Sequence, residues 1–387
     1  MRSVWARVVV PLVLALVVGT WAPARLVGSD ADAVYDARLD VTMPRALALA
    51  HDIMHGAGPG DLTTGNARYD GEWALVTHQM TILALGQVLL AHAHRADVAD
   101  ALMPAIRRST VALLAPETRA FATEAWGGDA LLELEDRTRG DAWLGYVALG
   151  LGMARAVDPD FEHAAIHDAI VRSLAARIDV DPEGLPETYP GETYPPDVAA
   201  CIGAIGLRAG LVGDDESELF SRWAGRARAY AVDPASGWLR QSETGPGRGS
   251  GTALAIYFLA FADRNLAAEL FDALGAQGVR SVLGFAAIRE HPPGATASAG
   301  DVDSGPVVLG VSVAATGFAL AGARIFGEAA LFRGLHRTAS LFGVPVSGRY
   351  VSGGTIGDAI LLAMETAGPL TAHAVPSPAS LIETGAP

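Results

Sequence analysis

The chain has 387 residues, half of them hydrophobic, so it can bury a large core as one domain or two. Its formal charge of -15 and its pI near 5.0 argue against nucleic acid as a partner, because phosphate backbones are bound by clustered cations. The sequence contains no lysine, so all 28 basic residues are arginine. This excludes chemistry that needs a Schiff-base or phosphate-loop lysine.

The first 24 residues are typical of an export signal. A basic start precedes an apolar stretch of 14 residues from Val8 to Trp21, and residues 22–24 have the small-x-small form of a cleavage site. A spanning helix needs about 20 apolar residues, so a cleaved signal peptide is favoured over an uncleaved membrane anchor. We therefore expect a periplasmic or extracellular protein, with a membrane tether through this segment as the alternative.

The rest of the chain is predicted to form one domain. Residues 25–39 are predicted to be a linker, residues 40–366 an all-helical domain, and residues 367–387 a disordered tail rich in Pro, Ser and Thr. Strand signals are weak, because alternating apolar and polar runs of β-branched residues are almost absent.

A repeat of helix pairs runs through the predicted domain. Six apolar segments rich in Ala, Gly and Leu begin near positions 72, 140, 195, 249, 305 and 355, and less apolar segments with one apolar stripe alternate with them. Glycine and alanine let helices approach closely, so the apolar segments are predicted to be inner helices and the others outer helices. A period of about 50 residues repeated six times predicts a closed ring of six helical hairpins.

Two other architectures are open at this point. One is an open superhelix of helix pairs. The other is a multi-pass membrane protein, suggested by the mean hydropathy of +0.28. Only the segment from Val307 to Phe326 reaches the roughly 20 residues that a span needs, and it contains Arg324.

The loops that enter the inner helices carry the unusual residues, whereas the return loops are short. We call the entering loops the rim loops; they are residues 66–73, 134–141, 187–197, 237–251, 300–306 and 349–355. All six lie at one end of the predicted ring. Helix amino termini present unpaired N–H groups there, which favours anionic or hydroxyl-rich ligands.

Acidic and aromatic residues concentrate on the rim loops, as in sugar-binding sites. Carboxylates are supplied by Asp70, Glu72, Glu192, Asp197, Glu243, Asp301 and Asp303. The predicted substrate-binding residues are Tyr69, Asp70, Trp73, His78, Trp143, Tyr194, Trp238, Arg240 and Tyr350. Glycoside hydrolysis needs a protonated carboxyl as acid and an ionised carboxylate as base or nucleophile, and we assign these roles to members of the set Glu192, Asp197, Asp301 and Asp303.

Two short motifs carry that assignment. In Glu192-Thr193-Tyr194-Pro195-Pro196-Asp197 the prolines fix an extended entry and a helix start, although Asp197 could simply interact with the first turn of its helix. In residues 300–306, Asp301 and Asp303 flank a valine in a turn framed by glycines, so that one could cap a helix and the other face a cavity.

Cofactors and metals are not predicted. Cys201 is the only cysteine, so neither an intrachain disulfide nor a cysteine-based metal cluster can form.

In hairpin count, spacing and rim chemistry, residues from about 40 to 366 resemble the six-hairpin, or (α/α)6 toroid, superfamily. It includes glycoside hydrolases, sugar epimerases, polysaccharide lyases and linalool dehydratase/isomerases. The resemblance implies catalytic carboxylates on rim loops or at the starts of inner helices, where Asp70, Glu192, Asp197, Asp301 and Asp303 lie. The short, glycine-rich inner helices are similar to those of the linalool dehydratase/isomerase group, whose chemistry is associated with cavity cysteines. Here the single Cys201 lies within an inner helix, so that likeness concerns the fold and not the activity.

The sequence therefore predicts an exported enzyme that acts on a carbohydrate or a related hydroxylated substrate, with glycoside hydrolysis as the reaction. One alternative is an epimerase, lyase or isomerase/dehydratase that uses Tyr194 or His78 as a base. Another is a non-catalytic protein of the cell envelope that binds glycans or serves as a scaffold. The expected partner is a small-molecule or glycan substrate.

Overall fold

The structure, a computed structural model, describes residues 10–12, 18–19, 22–56, 67–135, 139–295, 300–301 and 303–368. The chain in these ranges is predominantly helical, with fifteen α-helices and a few short strands. The predicted all-α class is confirmed. Most of the predicted signal segment and the tail from residue 369 onward lie outside the described residues.

The helices account for most of the described chain. The α-helices are α1 (Pro23–Leu26), α2 (Ala31–Tyr35), α3 (Leu39–His55), α4 (Ala67–Ala91), α5 (Ala96–Leu114), α6 (Pro116–Trp126), α7 (Asp141–Val157), α8 (Ala164–Val180), α9 (Pro195–Val212), α10 (Ser217–Arg226), α11 (Gly249–Leu259), α12 (Arg264–Gly278), α13 (Val313–Ile325), α14 (Ala329–Gly343) and α15 (Gly354–Glu365). A π-helix, Ala227–Ala231, directly follows α10. The strands are β1 (Val279–Val282), β2 (Phe285–Arg289), β3 (Val307–Val308), β4 (Val311–Ser312), β5 (Pro345–Val346) and β6 (Arg349–Tyr350).

Six of these helices contact one another in a closed cycle, and we call them the inner helices: α4, α7, α9, α11, α13 and α15. Each packs on the next in this order, and α15 packs back on α4. Nearly every residue of α7 from Asp141 to Ala154 is buried, as expected for a helix surrounded by other helices.

A second set of helices packs outside this cycle. The helix that follows packs on its inner helix in the pairs α4–α5, α7–α8, α11–α12 and α13–α14, whereas α10 packs on α8 and on the π-helix. The last inner helix, α15, is covered by α3 from the beginning of the chain. The first and last parts of the domain therefore meet.

Glycines permit the closest approach between inner helices. A Cβ on Gly203 of α9 would lie 2.5 Å from the carbonyl oxygen of Phe258 in α11, and one on Gly206 would lie 2.4 Å from that of Phe261. Such distances are shorter than any van der Waals contact, so these two helices pack backbone to backbone.

The small β structure corrects part of the sequence analysis. Residues 307–326 were predicted to be one inner helix, but residues 307–312 form the antiparallel hairpin β3–β4 and the helix begins at Val313. The hairpin joins β1 and β2 in a four-stranded sheet of order β1-β2-β4-β3, which packs on α14 and α13. Valines on both sides of the turn at Leu309 and Gly310 favour a hairpin over a helix here.

The predicted linker at residues 25–39 also needs correction. It contains α2, whose Ala31 and Val34 are buried, and α2 packs on α14. Asp30 accepts hydrogen bonds from Arg45 and His336, so this segment is part of the folded domain.

Two helices in the described ranges are long and apolar enough to span a membrane, at Tyr69–Ala91 and Pro195–Val212. Their apolar windows are 78% and 72% buried inside the protein, as is typical of core helices.

Candidate functional site

Asp197 lies at the centre of the candidate site, in the first turn of the inner helix α9. Pro195 and Pro196 occupy the first positions of this helix, where their fixed φ is favourable and no N–H is needed. The Asp197 side chain turns towards α7, and its Oδ1 accepts a hydrogen bond of 3.0 Å from the phenol of Tyr146. Thr188 on the preceding loop also bonds to this carboxyl.

The environment of Asp197 favours its protonated form. Burial is the largest cause, followed by the negative charge of Glu72 and, more weakly, of Asp303, and together they raise its pKa to about 8. The bond from Tyr146 opposes this shift, because it stabilises the ionised form. Protein encloses the carboxyl, yet the residue keeps part of its accessible surface, and we call the surroundings of Asp197 the recess.

Glu72, in the second turn of α4, brings a second carboxyl to this recess. Its Oε1 accepts a hydrogen bond of 2.9 Å from the phenol of Tyr189, on the rim loop before α9. Tyr189 packs edge to face on Tyr194 with ring centroids 6.1 Å apart. Burial, Asp197 and Glu72 hold the pKa of Tyr146 well above its usual range, so this phenol is a hydrogen-bond donor and not a base.

Asp303 adds a third carboxyl from the rim loop before β3. Its Oδ2 accepts a hydrogen bond of 3.0 Å from Nε2 of Gln241, on the loop that enters α11. The surrounding protein and the charge of Asp301 raise the pKa of Asp303, even though its side chain is accessible to solvent. A Cβ on Gly251 would lie 2.4 Å from Oε1 of Gln241, so a glycine is needed for this amide to reach Asp303.

An ion-pair network holds the loop that carries Asp303. Arg248 binds both carboxylate oxygens of Asp301, at 2.9 and 3.2 Å, and its Nε donates to the fully buried Glu290 at 2.5 Å. Ser250 also donates to Glu290. The bonds to Asp301 from Arg248 and from the N–H of Ser304 outweigh the cost of burial and lower the pKa of Asp301 to about 2, so this residue is an ionised structural anchor at neutral pH.

The three carboxyls can divide the roles of acid and base. Repulsion of Asp197 by Glu72 and, more weakly, by Asp303 is relieved when Asp197 keeps its proton. A protonated carboxyl next to ionisable carboxylates is the arrangement that acid–base catalysis needs.

The structure brings only some of the predicted residues to this recess. Asp197 and Asp303 are electrostatically coupled, Tyr194 packs on Tyr189, and Asp301 anchors the Asp303 loop. Tyr69, Asp70 and Trp73 lie half-buried at the beginning of α4, within a few residues of Glu72. Glu192 is exposed in the turn after Tyr189 and accepts a hydrogen bond from Tyr194.

Other predicted residues lie away from Asp197 or are sealed in the core. Trp143 and Trp238 are buried, at 2% and 0% exposure, which leaves no ring face open for a sugar. Arg240 donates to the carbonyl of Gly245 within its own loop. Tyr350 is buried, and its hydroxyl donates to Glu365 on the α3–α15 side of the domain.

His78 does not have the environment of a catalytic base. Its Nδ1 lies 3.2 Å from the hydroxyl of Ser109 on the outer helix α5. Burial and, to a lesser extent, the charge of Arg108 lower its pKa to about 4, so the ring is neutral and buried at physiological pH.

Four residues that shape the recess were missing from the predicted site: Glu72, Tyr146, Tyr189 and Gln241. Glu72 was among the rim carboxylates, but the sequence did not indicate which face of α4 its side chain would occupy. Tyr146 could have been noticed as the one phenol inside the apolar helix α7, where a hydroxyl requires a partner.

Comparison with known proteins gives no family for this chain, since no family model matches it and no curated protein matches it. Within the ranges that the structure describes, no group of three or more His, Cys, Asp or Glu side chains could hold a metal ion. The geometry around Asp197 is therefore the main guide to function.

Proposed function

We propose that this protein is an exported enzyme that hydrolyses a glycosidic bond, with Asp197 as the general acid and Glu72 as the second carboxyl group. One observation carries the proposal. A carboxyl at the start of an inner helix is enclosed beside two other carboxyls, which together with burial raise its pKa to about 8. Such a group can protonate a leaving oxygen at neutral pH.

The proposed architecture is the (α/α)6 toroid. Its support is the closed cycle of contacts among the inner helices, with outer helices packed around it and α3 covering α15. In this arrangement Glu72, Tyr146, Asp197 and the two loops with Gln241 and Asp303 approach from the same end of the cycle. The recess at that end would be the substrate site.

A carbohydrate fits the groups around the recess. Tyr194 is only partly buried and packs at right angles on the buried Tyr189, whose phenol bonds to Glu72. A sugar ring could stack on Tyr194 while its hydroxyls bond to carboxylates. Asp303 and Gln241 supply an acceptor and an amide on the adjacent loop. Export is supported by the N-terminal sequence alone.

The proposal is tested by turnover on a panel of glycans and aryl glycosides. Asp197→Asn and Glu72→Gln should each reduce kcat/KM about 10²- to 10⁴-fold, the usual contribution of a general acid or base. Glu218→Gln, which changes a carboxylate on α10 that is 88% exposed, serves as the control and should retain full activity.

Two results would contradict the assignment. Full activity of Asp197→Asn would remove Asp197 from the reaction, and an unsaturated product that absorbs in the ultraviolet would replace hydrolysis by elimination. Binding of a glycan with no turnover by the wild-type protein would favour a non-catalytic role.

A further inference from the structure

Large apolar side chains are exposed together on one outer face of the domain, around the carboxyl-terminal half of α14. We call this the α14 face, and it consists of Leu26, Val282, Leu283, Leu341, Phe342 and Val346. Each is between 46% and 76% exposed. Exposed apolar residues scattered singly are ordinary, but a contiguous group marks a surface that contacts something else.

Three separate segments meet at this face. The carbonyl of Gly284, at the tip of the β1–β2 hairpin, accepts a hydrogen bond of 3.1 Å from Arg337 of α14. A Cβ on Gly284 would lie 2.8 Å from that of Ala24 in α1, and one on Gly28 would lie 3.0 Å from Cα of Arg337. Leu341 follows Arg337 by one turn of α14, and Val346 lies in β5 just beyond that helix.

Two apolar residues in or beside the α14 face have an unfavourable backbone conformation. Leu283 has a φ of 51° and Val344, beside Phe342, has a φ of 54°. This left-handed region is unfavourable for bulky and β-branched side chains, and glycine or asparagine is the usual residue there. Leu283 is 54% exposed and Val344 is 51% exposed, so neither gains full burial in return for its strained backbone.

The charge of the α14 face differs from that of the rest of the molecule. Residues 22–28, 279–286 and 337–348 contain Arg25, Arg280 and Arg337 but no aspartate or glutamate. The whole chain carries a formal charge of -15, so this face is a local basic area on an acidic protein. Arginines around an apolar area complement anionic headgroups at a lipid surface.

The apolar N-terminal segment leads directly to the same face. The N–H of Ala22 donates to the carbonyl of Val18 at 2.8 Å, which joins that segment to α1 beside the hairpin tip. Val10, Leu12 and Val18 are 54%, 64% and 51% exposed. These described side chains of the segment are therefore largely exposed.

We propose that, in a protein that keeps its N-terminal apolar segment as a membrane tether, the α14 face docks on a phospholipid bilayer with anionic headgroups next to the point where the tether would enter that bilayer. The apolar side chains insert at the headgroup level and the arginines pair with lipid phosphates. The folded domain would then have a fixed orientation on the membrane and would not rotate freely about its N-terminal anchor. This proposal is independent of the reaction at Asp197.

The test places a polarity-sensitive fluorophore on the face in the full-length chain. Val282→Cys and Phe342→Cys are labelled separately, and the native Cys201 is fully buried and should not react. Val180→Cys on α8, where the native side chain is 65% exposed, is the matched control. Each protein is mixed with vesicles of phosphatidylcholine and phosphatidylglycerol that contain a nitroxide-labelled lipid.

The expected result is a blue shift and quenching of the labels at 282 and 342, with neither at 180. Vesicles of phosphatidylcholine alone should give a weaker effect. Unchanged urea midpoints of the two variants would show that they fold.

Three outcomes would overturn the proposal. Labels at 282 and 342 that stay unquenched while the protein sediments with the vesicles would show that the N-terminal segment alone binds the membrane. A blue shift without vesicles would mean that the face is covered by this chain's own residues 8–21 or, if it depends on protein concentration, by a second copy. Equal quenching at position 180 would mean that adsorption has no preferred face.

Discussion

The phenol of Tyr146 donates a hydrogen bond of 3.0 Å to Oδ1 of Asp197, and so joins the second turn of one inner helix to the first turn of the next. The bond favours the ionised carboxylate, in opposition to burial and to Glu72. Tyr146 thus limits how far the pKa of Asp197 rises above its ordinary value.

Tyr146→Phe should therefore raise the pKa of Asp197 further. In the proposed reaction Asp197 acts in its protonated form, so kcat/KM of the wild-type enzyme should fall as the pH rises through about 8. In the variant this fall should move to higher pH. The control is Tyr257→Phe, which removes another buried hydroxyl bonded to Gln87 and should leave the pH profile in place. If the pH profile of kcat/KM is the same in Tyr146→Phe as in the wild type, the bond from Tyr146 does not set the pKa of the catalytic acid.

Asp197→Asn should stabilise the protein at neutral pH while it removes activity. The folded-state pKa of about 8 lies above the ordinary value of 3.8, so between those values Asp197 ionises in the unfolded chain but stays protonated in the folded protein, and the stability falls as the pH rises. Asparagine cannot ionise and escapes this penalty. We expect a gain of about 1–2 kcal/mol in the free energy of unfolding at pH 7 and almost none at pH 4, measured by urea unfolding. A loss of stability at pH 7 would show that Asp197 is a structural residue.

His336 should make the stability depend on pH in the alkaline range. It is fully buried, with Nδ1 2.8 Å from Glu365 and Nε2 3.0 Å from Asp30, while Arg45 pairs with both carboxylates. Burial lowers its pKa, but the bonds to Asp30 and Glu365 outweigh burial and raise it to about 9.

The direction of this pH dependence follows because the pKa of His336 in the folded protein lies above its ordinary value of 6.5. The stabilisation is fully present below pH 6.5 and is lost as the pH rises through 9. The loss should be roughly 3 kcal/mol, from about 1.4 kcal/mol per pKa unit. In His336→Gln the slope over this range should be much reduced. Equal slopes in the two proteins, measured by urea unfolding at several pH values, would assign the dependence to another group.

Gly203→Ala tests the close contact between α9 and α11. The added Cβ would meet the carbonyl oxygen of Phe258 at 2.5 Å, and backbone atoms cannot move aside cheaply, so we expect a loss of about 1–3 kcal/mol. Gly275→Ala in α12 is the matched control. Its Cβ meets nothing within 4 Å, and alanine is the better helix former by roughly 0.5–1 kcal/mol, so this variant should be slightly stabilised. Thermal unfolding of both variants measures the difference.

The helix pattern was the most predictable part of this fold. The inner helices α7, α9, α11 and α15 begin within one residue of the predicted positions, because Gly and Pro mark their entries and Ala-rich runs follow. Helix α4 begins at Ala67, five residues before the predicted position 72, and α13 begins only at Val313, after a local apolar run that suits a helix and a hairpin equally well. Pairing with β2, which is distant in sequence, selects the hairpin.

The candidate site was predictable in its location but not in its membership. Rim carboxylates were evident, and Asp197 and Asp303 were among them. The face of α4 on which Glu72 lies depends on packing against neighbouring helices, and the exposure of Glu192 depends on the turn after Tyr189; neither could be predicted from the sequence. Two aromatic residues were wrongly predicted to bind substrate for a related reason: the rings of Trp143 and Trp238 are buried in the core.

Helix α3 packs on α15, and the buried pair Arg45 and Glu365 that joins them is separated by 320 residues in the sequence. A ribosome adds about 5–20 residues per second, so α3 would emerge tens of seconds before the helix that it must cover. Neither α3 nor α15 can complete its packing while the other is missing from the nascent chain. Closure of the domain would have to wait until α15 has also left the ribosome. The nascent chain would expose apolar surface throughout that interval and would depend on chaperones for protection.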